Sequence, residues 1–239
     1  MKYHLFGARS WFAACLLVAV CGTAAAFPPA ETGSAVRTVR DFDRVELAIR
    51  GELILTQGDT ESLQIEASTA DLALITTVVR GTTLQIGQVN PGPGPRGPVT
   101  YRLAMKKIAG LTTSSSGNIR AASIEADSLR IISSSSGQIV IDRLAARTLD
   151  VTLSSSGSSM IGGTVDRQSI LLSSSGEYRA ENLASRAASV GLSSSGSATI
   201  WVSESLDARI SSSGNVRYRG NPPKVTSHAS SSGRLIKLD

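Results

Sequence analysis

The stretch "LSSSGS" at residues 153–158 contains a tetrad, "SSSG", that the chain writes seven times. Its closing glycines are Gly117, Gly137, Gly157, Gly176, Gly196, Gly214 and Gly233, spaced 18–20 residues apart. A nearly constant period of this size is the mark of a solenoid, in which each repeat buries its apolar face only by stacking on its neighbours. Leucine-rich repeats share the period, but their fixed Asn and leucine grid is missing here. The period therefore predicts the coils of a β-helix.

Columns taken at fixed offsets from each glycine decide which residues face inward. Eight residues before it stand Leu129, Leu149, Gln168, Ala188, Leu206 and Val225, and four before it Thr113, Ser133, Leu153, Leu172, Leu192, Ile210 and Ala229. Two after it stand Ile119, Ile139, Ser159, Tyr178, Ala198, Val216 and Leu235. The even offsets are mostly apolar, while the odd ones carry Arg120, Arg130, Asp150, Arg179 and Arg217. That is the period of two expected of strands with one face buried. Twenty residues at ~3.3 Å each make roughly 65 Å of chain, enough for three short strands and their corners around a narrow core. The expected fold is all-β: a right-handed parallel β-helix with coils of about 20 residues.

The same parity points the middle serine of each tetrad inward, at a corner that only a small side chain fits. Those corner residues are Ser115, Ser135, Ser155, Ser174, Ser194, Ser212 and Ser231, each followed two positions later by its glycine. The serine hydroxyl is expected to bond to a neighbouring serine or a backbone carbonyl. The glycine supplies a positive φ or a close approach. The first and third serines then face out as two parallel hydroxyl ladders. These ladders read either as tolerant corner residues or as a flat array for glycan or ice.

Upstream of the repeats, Lys2 and Arg9 precede the apolar run "WFAACLLVAV" and the small residues of "GTAAAF". This is the pattern of a secretory signal peptide over 1–26, cut after Ala26. The apolar run is shorter than the ~20 residues a membrane-spanning helix needs, so no transmembrane segment is expected after cleavage. Cys15 and Cys21 lie inside the leader, so the chain from Phe27 onward forms no disulfide and offers no thiol to a metal. Formal net charge over the whole chain is +5 with basic residues scattered, which does not point to nucleic acid. Aromatic residues make up only 4%, so small and β-branched side chains must fill the core.

Residues 27–37 read as a linker, and 38–110 as a less regular N-terminal β portion leading into the Ser/Gly repeat over 111–239. Within it "FDRVELAIRGELILTQGD" alternates as strand, turn, strand around Gly51. "SLQIEAS" and "TTLQIGQ" add strands, and a helical or irregular turn falls near 70–76. "NPGPGPRGP" at 90–98 is expected to be an exposed loop, because its prolines donate no ladder hydrogen bond.

The run "FDRVELAIRGELILTQGDTESLQIEAS", then "KKIAGLTTSSSGNI" and the serial "SSSG" coils, resembles the head GIN domain family of autotransporter adhesins over about 38–236. The resemblance implies an exported bacterial β-helix, periplasmic or at the cell surface, with no established catalytic role and no catalytic residues to carry over. An autotransporter also needs a C-terminal membrane barrel, and this sequence ends at "RLIKLD", so self-export is not expected. The charged ending suits a capped last coil.

Chemistry has few footholds. His228 is the one histidine after the leader and reads as an outward residue rather than the base of a serine hydrolase. The acidic nonapeptide of calcium-binding β-helices is missing, and neither a cofactor nor a metal is expected. Asp142 and Glu181 share a column two coils apart, the spacing a glycosidase pair would need, but Gly162 lies between them. The better ligand candidate is Trp201 at an outward offset, with Arg179, Arg217 and Arg219 in neighbouring columns, a stacking site for a sugar. The expected function is a non-enzymatic, exported envelope or surface protein that binds or scaffolds through its faces, with surface glycan or an envelope protein as partner. A carbohydrate-binding or carbohydrate-active β-helix is the alternative, and oligomerisation by coil stacking or face packing stays open.

Overall fold

The computed structural model describes residues 32–89, 92–211 and 213–239. The leader expected over 1–26, with both cysteines, therefore lies outside the described residues, as do residues 27–31, Asn90, Pro91 and Ser212.

The chain is a β-solenoid of about six turns. Five long strands form its body: β9 (Asn118–Ser133), β10 (Gln138–Leu153), β11 (Ser158–Leu172), β12 (Glu177–Leu192) and β13 (Ser197–Ile210). Each pairs in parallel with the next. The next coil is split between β14 (Asn215–Arg219) and β15 (Lys224–Ala229), both on β13, and β16 (Arg234–Lys237) lies on β14. Residues of one sequence column stack in register: Ile119, Ile139, Ser159, Tyr178, Ala198, Val216 and Leu235 form one continuous row. All of these but Leu235, on the last coil, are buried.

Each coil has three faces, although strand pairing runs through two of the three corners. In β9 the buried residues are Ile119 and Ala121, then Ile124, then Leu129, Ile131 and Ser133. Between these groups two adjacent residues, Ala122 with Ser123 and Asp127 with Ser128, are both exposed. Two consecutive outward side chains break the period of two and turn the strand. The third corner is the tetrad, the one place where the chain leaves the strand between β9 and β13.

The coils begin earlier than the first tetrad. β2 (Arg44–Leu47) lies under β8 (Gly110–Thr113), and β3 (Glu52–Gln57) lies under β9, both in parallel. Gly51, at φ +133°, is thus the corner of a base coil, and a Cβ there would sit 2.8 Å from the Val99 carbonyl oxygen. Antiparallel strands cover this end: β1 (Thr32–Arg37) on β4 (Ser62–Ser68), β4 on β7 (Thr100–Met105), and β5 (Ile75–Arg80) on β6 (Thr83–Gln88). Residues 32–37, expected as linker, are thus an edge strand whose alternating half-buried positions pack on β4. The expected turn near 70–76 is a short helix, α1 (Thr69–Leu72), capped by Ser68, whose Oγ accepts the Asp71 N–H at 3.1 Å.

The proline-rich loop is tied down from below. The Asp71 carboxylate accepts the backbone N–H groups of Arg96 at 3.0 Å and Gly97 at 3.1 Å. The Arg96 N–H holds this carboxyl below the ordinary range, against burial that pulls it upward, with Ser68, the Gly97 N–H and the Arg50 charge adding to the lowering.

Candidate functional site

The tetrad corner is built from the backbone outward. The first serine stays in the ladder: Ser154 donates its N–H to the Ser133 carbonyl at 2.9 Å, Ser173 to Leu153 at 3.0 Å and Ser193 to Leu172 at 3.0 Å. The ladder resumes directly after the glycine, whose carbonyl accepts from the coil above, as from Glu177 to Gly157 at 3.1 Å. Only two serines per coil leave the pairing.

The buried member of the corner is the glycine. Gly117, Gly137, Gly157, Gly176, Gly196 and Gly214 are all buried, while Ser115, Ser135, Ser155, Ser174 and Ser194 are half-buried and their flanking serines exposed. None of these six glycines has a positive φ. Their role is close approach: a Cβ on Gly157 would sit 2.6 Å from the Ser135 carbonyl oxygen, and one on Gly196 2.7 Å from that of Ser174. The middle serine thus aims its carbonyl at the next glycine. Among the described residues its hydroxyl makes no bond to a neighbouring middle serine. Hydroxyl pairing occurs one step earlier, where Thr113 Oγ1 donates to Ser133 Oγ at 3.0 Å. The last tetrad differs, with Ser231 at φ 62°, exposed, and Gly233 half-buried.

Trp201 stands at the corner that follows the tetrad face and is 42% exposed. Arg219 occupies the rung above it in register. Arg179 and Arg217 flank Thr199 instead, on either side of β13 and two residues along. Arg179 is engaged by Glu177 at 2.6 Å, a hydrogen bond that raises its pKa. Of the three expected arginines, then, one shares a rung with the indole.

The groove that Trp201 lines is formed by other residues. Register shifts around Gly162–Gly163 and between Ala180 and Ala184 bring Ala184 beside Trp201. Small side chains, Ala146, Thr164 and Ala184, leave a trough of about 320 Å³ at the foot of the indole. Its polar lining is Asp166, Arg186, Ser185 and Ser203. Arg186 Nε bonds Glu204 Oε1 at 2.7 Å, and that contact raises the pKa of the guanidinium, with Asp166 contributing.

Beneath this corner the core turns polar. Tyr178 Oη donates to Gln168 Oε1 at 3.0 Å, Gln168 Nε2 donates to Ser185 Oγ at 2.8 Å, and Ser185 Oγ donates to the Trp201 carbonyl at 2.6 Å. All three side chains are buried. Burial pushes the Tyr178 hydroxyl far above its ordinary value, so it stays protonated and donates. Ser159 and Ala198, directly below and above Tyr178, are small enough to admit its ring. Gln168, Ser159 and Tyr178 depart from their apolar columns, as Thr113 and Ser133 do lower in the stack, and they are the visible signal of this cluster. Ser185, Asp166 and Arg186 left no such signal, because the register shift that positions them is not written in the period.

Asp142 and Glu181 both fall in bulges where strand pairing is broken. Gly162 packs on the Asp142 carbonyl and faces Asn182, so the ladder does not pair the two carboxylates. His228 is exposed on β15 opposite Arg209. It lines a shallow groove of about 540 Å³ with Leu171 and Gly191, and among the described residues no hydrogen bond joins it to a serine. Among these residues no group of three or more His, Cys, Asp or Glu side chains is placed to hold a metal ion. No helix among them is long and apolar enough to cross a membrane.

Solved structures share this architecture. A protein named a "putative adhesin" from Bacteroides fragilis NCTC 9343 superposes with a TM-score of 0.82 at 20% identity, covering 87% of this chain and 97% of that one. A "putative lipid binding protein" from Parabacteroides distasonis ATCC 8503 gives 0.70 at 21% identity, covering 88% and 98%. A "putative adhesin" from Parabacteroides merdae ATCC 43184 gives 0.68 at 17% identity, covering 88% and 98%. At these identities the likeness establishes the fold. No curated protein sequence matches. The profile described as "Putative auto-transporter adhesin, head GIN domain" matches residues 41–222, most of the solenoid from its base coil onward. With the stacked Ser/Gly coils built on that base coil, the chain belongs to this head GIN domain family.

Proposed function

We propose that this protein is a non-enzymatic, exported envelope or cell-surface protein that adheres or scaffolds through the faces of its solenoid. The observation that carries the reading is the register. Outward positions repeat rung by rung at the ~4.8 Å strand spacing, so one face offers Arg120, Met160, Arg179, Thr199 and Arg217 in a single row, interrupted only by the buried Val140. Such a surface suits an extended partner, and membership of an adhesin-named family accords with it. Export by the leader and a periplasmic or outer-surface location belong to the same proposal.

The test is adhesion of the purified protein to envelope fractions and to a glycan array, compared with a variant carrying Ser154→Lys, Ser173→Lys and Ser193→Lys. Saturable binding that the three lysines abolish places recognition on the serine ladders. Binding that survives them moves recognition to another face, and failure of the folded protein to bind any surface overturns the adhesive role. The exposed Trp201 favours a second, narrower reading, a carbohydrate-binding protein on the same scaffold.

A further inference from the structure

We propose that the trough beside Trp201 is a binding site for the terminal ring of a neutral hexopyranose, with the indole as platform and Asp166 as the group that reads its hydroxyls. This deepens the adhesive reading and rests on it only for the biological source of the sugar.

Three observations converge on the site. First, the indole is 42% exposed, whereas Phe42, Tyr101 and Tyr178 are buried in the core. A pyranose presents axial C–H groups on one face, and these stack on the electron-rich face of an indole. Second, the trough of about 320 Å³ is floored by Ala146, Thr164 and Ala184 and lined by Asp166, Arg186 and Ser203. That volume lies at the small end of the ~300–1,000 Å³ range of ligand sites and suits one ring rather than a long chain. Arg186 is already engaged by Glu204. The Asp166 carboxylate can accept from two adjacent sugar hydroxyls, while its charge disfavours a uronic acid, Glu204 being offset by Arg186.

Third, the site is held from inside. Ser185 Oγ and Gln168 Nε2 both donate to the Trp201 carbonyl, at 2.6 Å and 3.5 Å, and Tyr178 fixes Gln168. An apolar core has no need of three linked polar side chains, and each is costly unless satisfied. Here they fix the backbone of the one residue that carries the exposed indole, and such support keeps a recognition residue in one geometry.

The test uses the full chain with Trp11→Phe, which leaves Trp201 as its only tryptophan. Its emission is followed during titration with methyl glycosides of glucose, galactose, mannose and N-acetylglucosamine, and with glucuronic acid. The expected result is a saturable shift with at least one neutral glycoside, weaker by about tenfold for the uronic acid and about tenfold in an Asp166→Asn protein. No saturable shift up to about 100 mM sugar, where millimolar affinities are fully visible, overturns the site. A shift equally strong in Asp166→Asn overturns the assigned role of that residue. The two readings fail separately. Surface adhesion that persists while the titration is flat sinks the sugar site alone, and saturable sugar binding without adhesion to any surface sinks the adhesive reading alone.

Discussion

At a tetrad corner the glycine and the serine do different work, although the sequence repeats them as one unit. A Cβ on Gly157 has no room against the Ser135 carbonyl oxygen at 2.6 Å and the Gly137 carbonyl oxygen at 2.9 Å. Both obstacles are backbone of the coil below, which cannot rotate away. Gly157→Ala is expected to cost about 3 kcal/mol, the upper part of the overpacking range. Ser155→Ala changes a half-buried side chain whose hydroxyl makes no hydrogen bond among the described residues, and it is expected to stay within about 0.5 kcal/mol of the wild type. Urea unfolding of the two variants measures the difference, and equal losses would return the structural role to the serine. The sequence put both residues at the corner and offered a positive φ or a close approach for the glycine, of which the buried corner glycines show the second. It could not say that the serine offers its carbonyl rather than its hydroxyl, because that depends on how the corner of one coil sits over the next.

At the scale of elements, two polar anchors hold parts that period and propensity do not specify. Within β11 and β12, Gln168 and Tyr178 are a mutually satisfied pair that shares its polar pocket with Ser159 and Ser185. Tyr178→Phe leaves Gln168 Oε1 buried without its donor and is expected to cost about 1–3 kcal/mol. The double variant with Gln168→Leu is expected to cost less than the two single changes together, which a double-mutant cycle of denaturation free energies measures. Additive losses would mean that the hydrogen bond contributes nothing specific. The second anchor is Asp71, which joins α1 to the proline-rich loop. Its folded pKa lies below the unfolded value, so its contribution is fully present above that unfolded value of about 3.9 and is lost as pH falls through the lowered folded pKa. The melting temperature of the wild type should therefore fall more steeply on acidification below about pH 4 than that of Asp71→Asn. Parallel profiles would show that Asp71 carries no linked stability. The loop itself was legible from its prolines, while its anchor, 25 residues upstream of Arg96, was not.

Across the whole molecule, stability should follow the stacking of coils, because each turn touches only its neighbours. The column of Leu129, Leu149, Gln168, Ala188 and Leu206 is buried throughout, yet Val225, the next member, is 42% exposed. No coil covers it among the described residues, and all six residues of β15 are exposed. Among the described residues β15 is thus an uncovered rung, without the cap that the charged ending suggested. Its Lys224, with Arg234 and Lys237 of β16, gives this edge a positive character, which discourages pairing with another copy of itself. Position in the stack, not residue type, should then set the cost of a core substitution. Leu206→Ala is expected to lose about 2–5 kcal/mol, as buried leucines do, whereas Val225→Ala should fall within about 0.5 kcal/mol of the wild type. Hydrogen exchange provides the independent check, since local opening follows burial and contact density. The amides of Lys224–Ala229 should exchange well before those of β10 and β11. Uniform protection from β10 to β15 would mean that the last rung is covered in solution, and the open end would then be an interface rather than a frayed edge.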